Sequence, residues 1–394
     1  MPSPMSKEKL SLFQPRIWAG RESVPTTSHP RKLRTQLQRS IFTSLCVAYA
    51  LLGLQRPVQA QENSGNFSGP GPYEVSVSSV DEQGLIFIPS KPSSATFTKL
   101  PAVVFAHGLC GPAEKYSDSL TRIASWGFVV LANQKQEDCG VMNVNHPFST
   151  LGNLFQLPVK FGDGVDFEQM SRTVEQNISY LATRSDVDAD KLALMGHSMG
   201  GGIVLDVASR LAANQPGKVR AIISIAPWNG VKPTPSSVVN AVKAPILIFC
   251  SMTDALCPCS GEVSLTDTQG VLSGSITPAI PFLFGPDSSS SWHGGVLSIF
   301  NNAQNATLIE VRDVSHFTIM GVGDGEQMQE FADWAHGVSG LNFNRPNRQY
   351  SQIPTLNYSI AFLKATLAVD VQAGESVMNQ APYDQRFSAV KVSN

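Results

Sequence analysis

The strongest chemical signal in this chain is the stretch Lys191 to Gly202, which reads K-L-A-L-M-G-H-S-M-G-G-G. An apolar run ends at Met195, G-x-S-x-G follows from Gly196 to Gly200, and a helix-like segment comes next. Strand, sharp turn and helix in that order are the context of a nucleophile elbow, whose strained turn lifts a serine hydroxyl clear of the backbone. Gly196 and Gly200 lack a β-carbon, so the strand and helix can close around Ser198. The pattern alone also describes an ordinary turn that happens to hold a serine. A serine hydroxyl is a poor nucleophile at neutral pH, so the reading turns on three partners: a base, an acid to orient it, and donors for an oxyanion.

Each partner should stand at the carboxyl end of a strand. His316, in R-D-V-S-H-F, follows the final predicted strand and respects the chain order serine, acid, histidine. His293 lies in a Ser-rich excursion and His336 on a polar segment, Glu326 to His336, that reads as a helix; neither follows a strand. Asp254 comes directly after P-I-L-I-F-C-S-M-T and can fix the base's tautomer by accepting from its second ring nitrogen. Asp313, close before His316, reads as a cap or a solvated side chain, and Asp287 has no strand beneath it. The oxyanion donors are expected to be the backbone N–H of Met199, after the nucleophile, and of Leu109, in the His107-Gly108-Leu109 loop that follows A-V-V-F-A. His197, adjacent to the serine, should point away from its hydroxyl. Trp228, in I-A-P-W-N-G after a strand, reads as a platform for a substrate, with a plain rim residue as the alternative. This chemistry needs no metal and no organic cofactor. Asp163, Asp166 and Glu168 read as a solvated loop and helix start, and Cys257-Pro258-Cys259 lacks a second ligand pair for zinc.

The elements that must hold these residues alternate. Tyr73 to Ser79 and Leu85 to Pro89 form a leading hairpin. Strands are predicted at Ala102 to Ala106, Phe128 to Ala132, Lys191 to Met195, Val219 to Ala226, Ile246 to Cys250 and, last, Thr307 to Val311. Helical spacing marks Ser117 to Trp126, Phe167 to Thr183, Gly201 to Ala213 and a closing helix from Tyr358 to Val369. Continuous apolar strands alternating with amphipathic helices predict an α/β fold, a mostly parallel sheet of about eight strands covered on both faces. Binding in such sheets occurs at the carboxyl ends of the strands.

Composition sets the frame. The 394 residues are 42% hydrophobic and 15% charged, with a net charge of −2, so there is no electrostatic case for a nucleic-acid partner. Residues 1–60 read as a targeting segment: a basic, Ser/Thr-rich start, then an apolar run from Ile41 to Leu54 of about 14 residues, short for a membrane span. The expectation is a secretory or periplasmic signal cleaved after Ala60; an uncleaved anchor and a transit peptide leading to a plastid or thylakoid lumen are the alternatives. Residues 61–72 read as a linker and 73–394 as the catalytic domain, with a rim or lid insertion at 260–295 and a C-terminal tail at 372–394. Of the cysteines beyond the signal, Cys110 and Cys139 follow strands and could pair, while Cys250 reads as a small buried hydrophobe.

At these residues the chain resembles the α/β-hydrolase superfamily, and within it the bacterial polyester hydrolases and cutinase-like lipases. The likeness is carried by H-G-L at His107, R-I-A-S-W-G-F-V-V from Arg122, G-H-S-M-G-G-G from Gly196, A-P-W from Ala226, the Asp254 loop, S-H-F from Ser315 and S-I-A-F-L-K in the closing helix. It implies the α/β-hydrolase fold and a serine carboxylic-ester hydrolase, with Ser198, Asp254 and His316 as triad and Leu109 and Met199 as oxyanion donors. It also implies Trp228 beside the ester, and a lipid, polyester or pigment ester as substrate, with peripheral contact to lipid or hydrophobic surfaces. Leu109 stands where that family usually has an aromatic, and the insertion at 260–295 has no counterpart in its compact members. A second resemblance, to the chlorophyllases, rests on the H-G loop, I-A-S-x-G-F-x-V and G-H-S-x-G-G, and implies hydrolysis of chlorophyll to release phytol.

Overall fold

The computed structural model describes residues 66–80, 83–90, 99–108, 113–133, 167–228, 236–251, 254, 257, 259, 295–312, 314, 316, 318–320 and 348–393. The chain divides into Met1–Gln59 and Ala60–Asn394, and every described residue lies in the second unit.

The centre of that unit is a nine-stranded sheet in the order β1-β2-β4-β3-β5-β6-β7-β8-β9. Strands β3 (Leu100–Ala106), β4 (Val129–Ala132), β5 (Val187–His197), β6 (Ala221–Ile225), β7 (Ile246–Cys250) and β8 (Ala306–Val311) run parallel, β4 beside β3 and then on to β8. Their sequences are continuous apolar runs because both faces are covered. Val103 and Phe105 pack on one side with α1 (Ser117–Ser125) and α6 (Arg348–Thr366). Ala102, Val104 and Ala106 pack on the other, against α2 (Phe167–Thr183), α3 (Met199–Asn214), α4 (Ser236–Ala241) and α5 (Gly295–Asn302). The leading hairpin, β1 (Val75–Val80) and β2 (Gly84–Pro89), joins antiparallel to β4.

Three expectations are corrected. The sheet does not end at β8: the described part of the expected tail, 372–393, holds most of α7 (Val371–Met378), capped by Asp370, and β9 (Phe387–Val392), antiparallel to β8. As an edge strand β9 is largely exposed, so F-S-A-V-K-V carries little hydrophobic signal. The described part of the expected linker is packed down rather than free. Phe67 is 2% exposed, its N–H donates to Asn357 Oδ1 at 2.9 Å, and its ring meets Trp126 edge-on at 4.8 Å. One aromatic anchor in a polar, glycine-rich segment gives no periodicity to read. The third correction, the pairing of Cys250, belongs to the site. Among the described residues no helix is long and apolar enough to cross a membrane. The insertion at 260–295, apart from Gly295, and the polar helix expected at Glu326 to His336 lie outside the described residues.

Candidate active site

Ser198 occupies the turn between β5 and α3, with φ 57° and ψ −123°, and is partly exposed among buried neighbours. A non-glycine residue there costs about 1–3 kcal/mol, and the surroundings enforce it. Ser198 N–H donates to Ile225 O at 2.9 Å, while its carbonyl accepts from Gly201 N–H at 2.9 Å and Trp228 N–H at 2.8 Å. A β-carbon on Gly196 would collide with the carbonyl of Gly200, and one on Gly200 with the carbonyl of Ala106. The elbow is therefore locked between β3 and β6, with Met199 opening a 16-residue helix whose N-terminus favours developing negative charge.

The proposed base and acid meet. Asp254 is fully buried; its Oδ2 is 2.8 Å from His316 Nδ1, and its Oδ1 accepts the Cys257 N–H at 2.8 Å. His316 is 3% exposed. Asp254 follows β7 and His316 follows β8, neighbouring parallel strands, so the pair stands at the same sheet end as Ser198. The other candidates for these roles, His293, His336, Asp287 and Asp313, lie outside the described residues.

His197 is buried, and it has partners that the sequence did not reveal. Its Nε2 is 2.8 Å from the backbone carbonyl of His316, and its Nδ1 is 2.9 Å from the Tyr116 hydroxyl. Burial, reinforced by the neighbouring His316, pushes its pKa down to about 3, so the ring is neutral. The same hydroxyl accepts the Gly108 N–H at 3.2 Å, and His107 Nδ1–H donates to Gly108 O at 2.7 Å. Gly108 lies so close to the elbow that a β-carbon there would be 3.0 Å from Ser198 Cβ. Leu109, the expected donor that follows, lies outside the described residues, as do Cys110 and Cys139.

Cys250 is not a lone hydrophobe: it forms a disulfide with Cys259. In an apolar strand a half-cystine looks the same as any small core residue, which is why the pairing was illegible. The bridge closes the loop that carries Asp254, and its backbone is tied again where Cys259 N–H donates to Ser251 O at 3.3 Å. Cys257 is free and buried; burial, and the nearby Asp254 carboxylate, push its thiol well above the usual range, so it is protonated and inert. With a sequence separation of 9, the bridge contributes roughly 2–3 kcal/mol through loop closure. Cys250→Ser should therefore lower stability by about that amount in urea titration, and lower kcat more than KM because the loop positions Asp254. A variant with wild-type kcat would show that the acid is held without the bridge.

Trp228 is half-buried against both apolar layers and reaches the site through its backbone bond to Ser198. Glu168 is occupied by Arg210, at 2.7 Å and 2.5 Å, which holds its carboxyl below the usual range. Asp163 and Asp166 lie outside the described residues. Among the described residues no three His, Cys, Asp or Glu side chains gather where a metal ion could be held. A pocket of about 320 Å³ lies at the opposite end of the sheet, lined by Val219, Arg220, Val242 and Pro245, and takes no part in the site.

The architecture is the α/β-hydrolase fold, and comparison with known proteins points the same way. Residues 165–265, which include Ser198, Trp228 and Asp254, match the family described as PET hydrolase-like. Residues 86–145, which include His107 and Gly108, match platelet-activating factor acetylhydrolase, isoform II. The chain is 28% identical over 199 residues to a bis(hydroxyethyl) terephthalate hydrolase of Streptomyces coelicolor, covering 48% of this chain and 52% of that protein. It is 40% identical over 77 residues to cutinase 2 of Thermobifida cellulosilytica (20% and 26%). Over 251 residues it is 28% identical to a cutinase of Thermobifida fusca (58% and 71%). The chain thus spans about half of the first relative, a quarter of the second and 71% of the third. The resemblance to polyester hydrolases and cutinases is borne out.

Proposed function

We propose that the protein is a serine carboxylic-ester hydrolase of cutinase or polyester-hydrolase type that works through an acyl-enzyme. The observation that carries this is the buried His316–Asp254 hydrogen bond, whose histidine is tied through its own carbonyl to His197, the residue before Ser198. Ser198 attacks the ester carbonyl as His316 takes its proton, and Asp254 steadies the imidazolium. The N–H groups of Met199 and Leu109 receive the oxyanion. His316 then protonates the departing alcohol, and water repeats the cycle on the acyl-enzyme. Trp228 flanks the ester. Residues 1–60 export the chain, and the Cys250–Cys259 disulfide supports an oxidising destination.

The test pairs a fluorophosphonate label with a substrate panel: p-nitrophenyl esters of rising chain length, triglyceride, polyester film and chlorophyll. The protein should be labelled on Ser198, turn over short p-nitrophenyl esters and release monomers from polyester. An unlabelled protein would be a binding module on a hydrolase fold. Rapid release of phytol from chlorophyll without attack on polyester would reverse the substrate ranking.

A further inference from the structure

The reading of Ser198 as nucleophile assigns no task to the Tyr116 hydroxyl or the His197 imidazole, both buried beside it. Tyr116 closes the short turn before α1, and its ring packs against Phe105 of β3, centroids 4.8 Å apart. The directions of the hydrogen bonds are forced. A carbonyl oxygen only accepts, so the His197 nitrogen 2.8 Å from His316 O carries the proton. The neutral ring then offers a lone pair at Nδ1, and the Tyr116 O–H, 2.9 Å away, donates to it. The Tyr116 oxygen in turn accepts from Gly108 N–H. The chain of donors runs one way, from Gly108 through Tyr116 and His197 to the His316 backbone.

We propose that Tyr116 and His197 are positioning residues forming a relay that couples the oxyanion loop after β3 to the base-bearing loop after β8. The proposal rests on the functional reading above. In the sheet β5, β6 and β7 stand between those two strands, so no backbone ladder can register one loop against the other. The relay supplies that register through side chains. The His316 carbonyl fixes the His197 tautomer, and the Tyr116 hydroxyl holds the ring in place by donating to Nδ1: without it, Nδ1 loses that donor in a buried place, and the ring can turn and slacken its bond to the His316 carbonyl. Gly108 N–H loses its acceptor in the same step. Misplacing reacting groups by about 1 Å can cost on the order of 10²-fold in rate.

The test is a double-mutant cycle on the full chain, with p-nitrophenyl butyrate as substrate and a boronic acid as probe of the tetrahedral adduct. Tyr116→Phe keeps the ring on Phe105 and removes the donor. Its kcat should fall about 10- to 100-fold with KM within about two-fold, and the boronic acid should weaken in parallel. His197→Phe should lose at least as much, and the double variant no more than His197→Phe alone, because the second change breaks a relay already broken. If Tyr116→Phe does not fold, Tyr116→Met takes its place: its flexible apolar side chain fills the space against Phe105 but offers no O–H to His197 Nδ1, and it should show the same kcat loss. Wild-type kcat in whichever of these two variants folds overturns the relay, and so do losses that simply multiply in the double variant. Fluorophosphonate labelling of the wild type separates the two ideas. An unlabelled wild type defeats the Ser198 reading itself, whereas a labelled wild type with an unaffected Tyr116→Phe defeats only the relay.

Discussion

Ser198→Ala should cut turnover of p-nitrophenyl butyrate by on the order of 10⁴ or more, with a melting temperature close to that of the wild type. Alanine has the same backbone restrictions as serine, so it inherits the φ of 57° without new strain. The bonds that lock the elbow come from the Ser198 backbone N–H and carbonyl, which the substitution keeps. What disappears is the hydroxyl of a residue that is partly exposed between buried neighbours. Any residual rate would come from substrate binding and from the proposed oxyanion donors, which the substitution leaves in place. Among the described residues no cysteine can stand in: Cys257 is buried and protonated, and Cys250 and Cys259 are bonded to each other. The comparison requires the same ester, the same pH and a purified variant with matching thermal unfolding. Turnover within about ten-fold of wild type would place the nucleophile elsewhere.

The parallel sheet was legible because its strands are apolar without interruption and stop abruptly at polar residues. That stop is itself informative: His107, Ser198, Trp228, Asp254 and His316 each follow a strand, and β3, β5, β6, β7 and β8 are consecutive neighbours in the sheet. Order in the chain therefore translated into nearness in space. Features that depend on one residue's partner did not translate. Phe67 in its polar strap, Cys250 in its strand and the exposed β9 each lack a periodic signal. The relay was further out of reach. His197 fills an unspecified position of G-x-S-x-G, and Tyr116 is one aromatic before a helix; only the distances among Gly108, Tyr116, His197 and His316 show that they share protons.

Asp254→Asn should lower kcat by on the order of 10³–10⁴ at neutral pH while leaving KM and the folded state nearly unchanged. The two oxygens of Asp254 have different partners, and this decides the outcome. Oδ1 accepts the backbone N–H of Cys257, and Oδ2 accepts from His316 Nδ1, both at 2.8 Å. An asparagine has one oxygen and one NH₂ to divide between them. Turning the oxygen toward His316 would set its NH₂ against the Cys257 N–H, donor to donor in a fully buried place. The amide therefore keeps its oxygen on Cys257 and points NH₂ at His316 Nδ1. Nδ1 must then accept, which moves the histidine's proton to Nε2, the nitrogen proposed to face Ser198, and a base that already carries a proton there cannot take the serine's. Proton NMR offers a check independent of rate: a low-field signal from His316 Nδ1–H in the wild type should vanish in the variant. If the signal vanished and turnover stayed within about ten-fold of wild type, the tautomer of His316 would not govern the reaction. The same substitution at Asp313, the sequence's rival for the acid, would then be the deciding comparison.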